Sequence, residues 1–345
     1  MRKKELEVTA MEDNIITAPA EQPVSPENPR KAVKRDANFA GGMLLIYLVI
    51  FMGFELVDMI FRIIMTMVKE GPVTDIEALT NDLMDYYLTH AGPLIVGVAF
   101  GLVFMFFVFR KKVRLRDMMP HNGKKMQPVR LFQLLCIFMG CQLVFTYIAK
   151  LVELLLNKIG YSAAMGTEAA QAGTSTLSMF LYAGFIGPIA EELVFRGFVM
   201  RSLEKHGKLV AIVFSSVFFG LMHTNLVQTI FAAYIGLILG YVAMEYGIIW
   251  SMLLHILNNF LFGDMLVKIE GAMPERIATF MDTAIFASFT ILGIYFIYRN
   301  FDTIKSYIKE NHVQKKVIRW TFTAVCPLIF IIITVLLTIS IIQPL

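Results

Sequence analysis

Glu191 and Glu192 are adjacent carboxylates inside an apolar run, Gly187-Pro188-Ile189-Ala190-Glu191-Glu192-Leu193-Val194-Phe195-Arg196-Gly197. Buried together, they repel one another and resist desolvation unless a cation is near, and Arg196 stands one helical turn past Glu192 to supply it. Pairing of Glu192 with Arg196 leaves Glu191, about 100° around the helix, facing something else. A carboxylate held beside water is what a general base for hydrolysis needs. His223 closes the segment Phe219-Gly220-Leu221-Met222-His223, and His255-Ile256-Leu257-Asn258-Asn259 places Asn259 on the same helical face as His255. A base, imidazoles and an amide are the groups that deprotonate a water and hold a developing oxyanion.

The elements that must position these residues lie in a membrane. Of 345 residues 57% are apolar and only 17% charged, against about 45–50% and about 25% in soluble chains. Apolar segments fall near residues 43 to 68, 91 to 109, 131 to 156, 176 to 200, 209 to 223, 227 to 244, 248 to 264, 279 to 298 and 320 to 342. Most are long enough, at about 1.5 Å per residue, to cross a hydrocarbon layer of about 30 Å. The fold expected is all-α, a polytopic transmembrane helical bundle of about eight to nine spans; the segment after Lys208 is the shortest. With the N-terminus in the cytosol, inward connections hold 25 of the 31 basic residues and outward ones hold 4. That bias predicts a multi-pass protein of the cell membrane with a cytosolic N-terminus and an extracytosolic C-terminus.

Residues 1–38 contain seven basic and seven acidic residues, four prolines and no aromatic, a composition expected to stay disordered in the cytosol. Residues 39–345 form the transmembrane domain. Cys136, Cys141 and Cys326 lie in apolar runs without a CxxC pair, so redox chemistry and a thiolate metal site are not expected. Nothing points to nucleic acid; membrane lipid is the expected surrounding. Asp58 and Arg62 stand at i,i+4 and are expected to pair, Lys150 and Glu153 to reach the interface, and the Gly236 and Gly240 spacing to serve packing. Glu55, in the first segment, has no assigned partner. An antiparallel hairpin turning near His206-Gly207 sets Glu191 level with Met222 and His223, so Glu191, Glu192, His223, His255 and Asn259 are expected around one polar cavity, open to the cytosol or to lipid.

The run EELVFRG, then Phe219 to His223, then His255 to Asn259, resembles the CAAX-processing and bacteriocin-processing (CPBP, or Abi) intramembrane endopeptidases, including the type II CAAX prenyl endopeptidases. The resemblance covers about residues 183–262, with a catalytic core of about 175–265. It implies an intramembrane protease that hydrolyses peptide bonds of membrane-associated, prenylated or plain peptide substrates with glutamate-activated water. Glu191 would be the base with His223 assisting, His255 and Asn259 would stabilise the oxyanion, and Glu192 with Arg196 would hold the site together beside Phe219. No cofactor is expected. Zinc is the other possibility, bound by His223, His255 and Glu191, although HExxH is absent and Asn259 is a poor zinc ligand. The alternative function is a binding, immunity or scaffold protein of the same family without proteolysis. A proton-coupled transporter would need repeated halves with broken helices, and no such internal symmetry is visible.

Overall fold

The computed structural model describes residues 28–110, 124–163 and 176–345, and it is helical apart from a two-residue antiparallel pairing of Tyr161–Ser162 with Gln343–Pro344. In chain order the helices are α1 (Pro29–Glu70), α2 (Ile76–Thr89), α3 (Gly92–Phe109), α4 (Pro128–Met139), α5 (Gln142–Lys158), α6 (Leu177–His206), α7 (Lys208–Met222), α8 (Leu226–Tyr246), α9 (Ile248–Gly271), α10 (Glu275–Arg299), α11 (Phe301–Glu310), α12 (Lys315–Phe322) and α13 (Val325–Ser340). Among the described residues seven spans are long and apolar enough to cross a membrane, α4 and α5 counting as one, and the α12–α13 pair, bent by 63°, makes an eighth. The ninth apolar segment is α7. Its 15 residues reach about 22 Å, short of a hydrocarbon layer of about 30 Å.

Helix α1 starts ten residues before the boundary drawn at 39, while residues 1–27 of the expected tail lie outside the described residues. Asn28 caps it by accepting from the Arg30 amide, Pro29 occupies the first turn, and Val33, Ala37 and Ala40 are buried. Asn38 Oδ1 accepts from the Cys326 amide at 3.0 Å. The apolar stripe, interrupted by charges, is long enough to pack against α12 and α13, which is why this stretch is helical despite its tail-like composition.

Polar contacts gather the start of α1 and the inward connections at one end of the bundle. Asp36 meets Lys205 at 2.7 Å and His206 at 2.9 Å. Buried Glu245 meets Lys124 at 2.5 Å and Lys208 at 2.6 Å and accepts from the Tyr307 hydroxyl at 3.1 Å. Arg130 donates to Asn300 at 2.9 Å. The hydrogen bond to Glu245 raises Lys124 above the ordinary lysine range, and desolvation followed by the same carboxylate raises Tyr307. At the far end Thr176 donates to the Thr89 carbonyl and the Leu345 amide to Gly160.

Between the ends, a core rich in phenylalanine surrounds α6, α7 and α8, with Phe195, Phe214, Phe218 and Phe219 all at most 1% exposed. Helices α6 and α7 form the expected hairpin. It turns at Gly207, whose φ of +130° lies in a region side chains rarely tolerate.

Candidate active site

Helix α6 holds the two glutamates on a short α-helical stretch, Gly187–Glu192, between π-wound turns at Tyr182–Ile186 and Leu193–Val199. Pro188 has no N–H to give the preceding turn, and the first wide turn lies immediately before it. Helix α9 is α-helical through Ile256, then π-wound over Leu257–Met265, so its own polar residues stand at a change of winding. π-turns of this kind commonly occur at functional positions.

The centre of the site is Glu192, whose side chain is fully buried. Its Oε1 lies 3.0 Å from Arg196 Nη1 and 3.0 Å from His255 Nδ1, and its Oε2 accepts from the Ser251 hydroxyl. Arg196 is also fully buried. It donates from Nη2 to the Gly236 carbonyl at 3.3 Å and lies 4.3 Å over the Phe219 ring. The Nη1 contact with Glu192 is ionic without hydrogen-bond alignment, and Nε has no hydrogen-bond partner among the described residues; the guanidinium depends on Glu192 for most of its compensation. Gly236 allows a close approach here, because a Cβ would stand 3.2 Å from Arg196 Nη2 and 3.1 Å from Ser216 and press on both.

His255 bridges the two carboxylates. Its Nε2 lies 3.6 Å from Glu191 Oε2, beyond direct hydrogen-bond length. An imidazole that donates through Nδ1 to Glu192 turns Nε2 toward Glu191.

Glu191 is the partly open member, its side chain 34% exposed. It lines a cavity of about 270 Å³ together with His223, Phe219 and Tyr182. His223 Nδ1 contacts the Phe219 carbonyl at 2.8 Å; donation along that contact leaves Nε2 as the available nitrogen. The next residue, Thr224, has a φ of +48°, and Asn225 caps α8 by accepting from the Val227 and Gln228 amides. The tight turn fixes His223 at the cavity wall. The remaining wall comes from α1, through Tyr47, Phe51 and Glu55, and from the end of α13, through Leu337 and Ser340.

The structure thus joins Glu191, Glu192, Arg196 and His255 directly, with Phe219 packed edge-on against His223 and His255 at 4.9 and 5.7 Å between ring centres. Asn259 lies one turn beyond His255 and is held by an amide chain. Gln142 Nε2 donates to Asn258 Oδ1 at 2.8 Å, Asn258 Nδ2 to Asn259 Oδ1 at 2.8 Å, and Asn259 Nδ2 to the Ala183 carbonyl at 3.0 Å. Asn259, His255 and Glu192 are not part of the cavity lining. Ser251, Gln142, Tyr182 and the Gly236 carbonyl were not singled out from sequence. Ser251 has a sequence signal, standing one turn before His255, whereas a backbone carbonyl has none.

The three ligands considered for zinc do not assemble. No group of three His, Cys, Asp or Glu residues among the described residues has metal-binding geometry. Both nitrogens of His255 face carboxylates, and one nitrogen of His223 faces a carbonyl.

Residues 173–261 match the family model described as type II CAAX prenyl endopeptidase Rce1-like. All of Glu191, Glu192, Arg196, Phe219, His223, His255 and Asn259 fall within that stretch. Comparison with curated proteins and with solved structures gives no match. Fold and comparison together describe a multi-spanning helical membrane protein whose residues 173–261, which carry the three motifs, are similar to the Rce1-like type II CAAX prenyl endopeptidase family model.

Proposed function

We propose that the chain is an intramembrane endopeptidase in which Glu191 takes a proton from water and the resulting hydroxide attacks a peptide carbonyl at the cavity. The observation that carries this reading is the division of labour between neighbouring carboxylates: Glu192 is buried and fully engaged, while Glu191 opens on a cavity that it shares with His223. His223 assists the proton transfer, and His255 and Asn259, which stand behind the cavity lining, steady the developing oxyanion. Collapse of the tetrahedral intermediate returns the proton to the leaving amine. The reaction is proposed without a metal, the groups needed for proton transfer being side chains of this chain.

The substrates proposed are membrane-associated peptides or lipidated proteins, and the basic end of the bundle is placed in the cytosol. The test is a cleavage assay in liposomes on matched farnesylated and plain peptides, with products identified by mass and a zinc chelator added in parallel. Cleavage that persists in chelator supports the reading. Failure to cut any peptide, with folded protein, contradicts it and favours a binding or immunity role.

A further inference from the structure

The first helix contributes a second carboxylate to the cavity, and this residue is outside the segment that matches the endopeptidase family. Tyr47, Leu48, Phe51, Met52 and Glu55 follow an i, i+1, i+4, i+5, i+8 pattern and present one face of α1 to the space in front of Glu191. Glu55 is the α1 carboxylate that lines the cavity. It has no ion pair and no side-chain hydrogen bond among the described residues, its backbone carbonyl alone accepting from Tyr87. The nearby charges are committed elsewhere: Arg62 binds Asp58 at 2.7 Å and covers the Tyr86 ring, and Asp58 also accepts from Tyr87.

A carboxylate kept within a membrane span without a partner is costly, which makes it a functional-site candidate by default. The cavity it faces is walled mainly by aliphatic and aromatic side chains, where an unscreened charge interacts strongly. Peptide carbonyls cannot satisfy a carboxylate. An ammonium or guanidinium can, and two carboxylates in one cavity repel an acidic group.

Resting on the endopeptidase reading, we propose that Glu55 recognises a basic side chain of the peptide substrate close to the bond cut at Glu191. The residue is a specificity determinant. It binds the cation, leaves water activation to Glu191, and rejects peptides that are acidic at the same position.

The experiment places a single Lys, norleucine or Glu at successive positions on each side of the cleaved bond. Cleavage and binding of each labelled peptide are measured in liposomes for the wild type and for Glu55→Gln. One Lys position is expected to raise kcat/KM at least about tenfold over norleucine, mainly through KM, with Glu the poorest. Glu55→Gln is expected to abolish the difference between the Lys and norleucine peptides, and Glu55→Lys to prefer the Glu peptide. The wild-type peptide series does not depend on any variant folding, and indifference to Lys at every position overturns the proposal. The same Lys preference in Glu55→Gln also overturns it. Lys-selective binding that Glu55→Gln abolishes, without cleavage of any peptide, supports recognition by Glu55 and overturns the endopeptidase reading alone.

Discussion

Glu192 and Arg196 meet at 3.0 Å with neither side chain exposed to solvent. The pair is built from one helix, yet it closes onto two others through Ser251 and His255 on α9 and the Gly236 carbonyl on α8. Removing one charge therefore strands the other. Glu192→Gln is expected to destabilise the protein by about 3–5 kcal/mol, read as a lowered thermal unfolding midpoint in detergent. The double change Glu192→Gln/Arg196→Met should cost less than the sum of the single changes, and additive losses would contradict coupling between the two.

The amide chain from Gln142 makes a prediction about direction. Gln142→Glu keeps size and removes the donor, so Asn258 must turn its own NH₂ toward the new carboxylate, and the Asn259 amide is left facing the wrong way. We expect kcat to fall by about tenfold or more with KM little changed, because the change reaches the site only through the orientation of Asn259, and the unfolding midpoint to fall with the carboxylate added to a membrane span. Unaltered kcat in folded protein would exclude Gln142 as a positioning residue.

The cluster at the basic end gives a pH dependence. Glu245 raises Lys124, so the stabilisation from this contact is complete below the unfolded lysine value of about 10.4 and is lost as pH rises through the higher folded value. Lys124→Met should remove that alkaline loss. Because the side chain is 51% exposed, its effect at neutral pH is expected to stay below about 1 kcal/mol. Unfolding midpoints measured from pH 8 to 11 in both proteins check the sign.

Much of this site is legible in the amino-acid order, for reasons specific to each residue. The i,i+4 spacing of Glu192 and Arg196 makes their pairing almost unavoidable in a helix. The hairpin at Gly207 brings Glu191 and His223 to one cavity because each stands sixteen residues from that turn. The Asp58 and Arg62 pair likewise forms as spaced. What could not be read is rotation and winding. The face that α1 turns toward Glu191 is set by its contacts with α3 and α13, three elements far apart in the chain, so Tyr47 and Glu55 gave no sign of their place. The π-turns flanking the glutamates and carrying Asn259 break the regular period on which any face assignment rests. The early start of α1 depends on Asn38 meeting the Cys326 amide, nearly three hundred residues away.

The most direct test of the account is the single-turnover cleavage rate of Glu191→Gln in liposomes, measured beside the wild type on a peptide the wild type cuts. The substitution keeps the shape of the side chain and removes its ability to take a proton from water. Loss of about a thousandfold or more, with unfolding midpoint and peptide binding preserved, is the predicted result. A rate within about tenfold of wild type would contradict Glu191 as the base, since general-base catalysis contributes at least about a hundredfold.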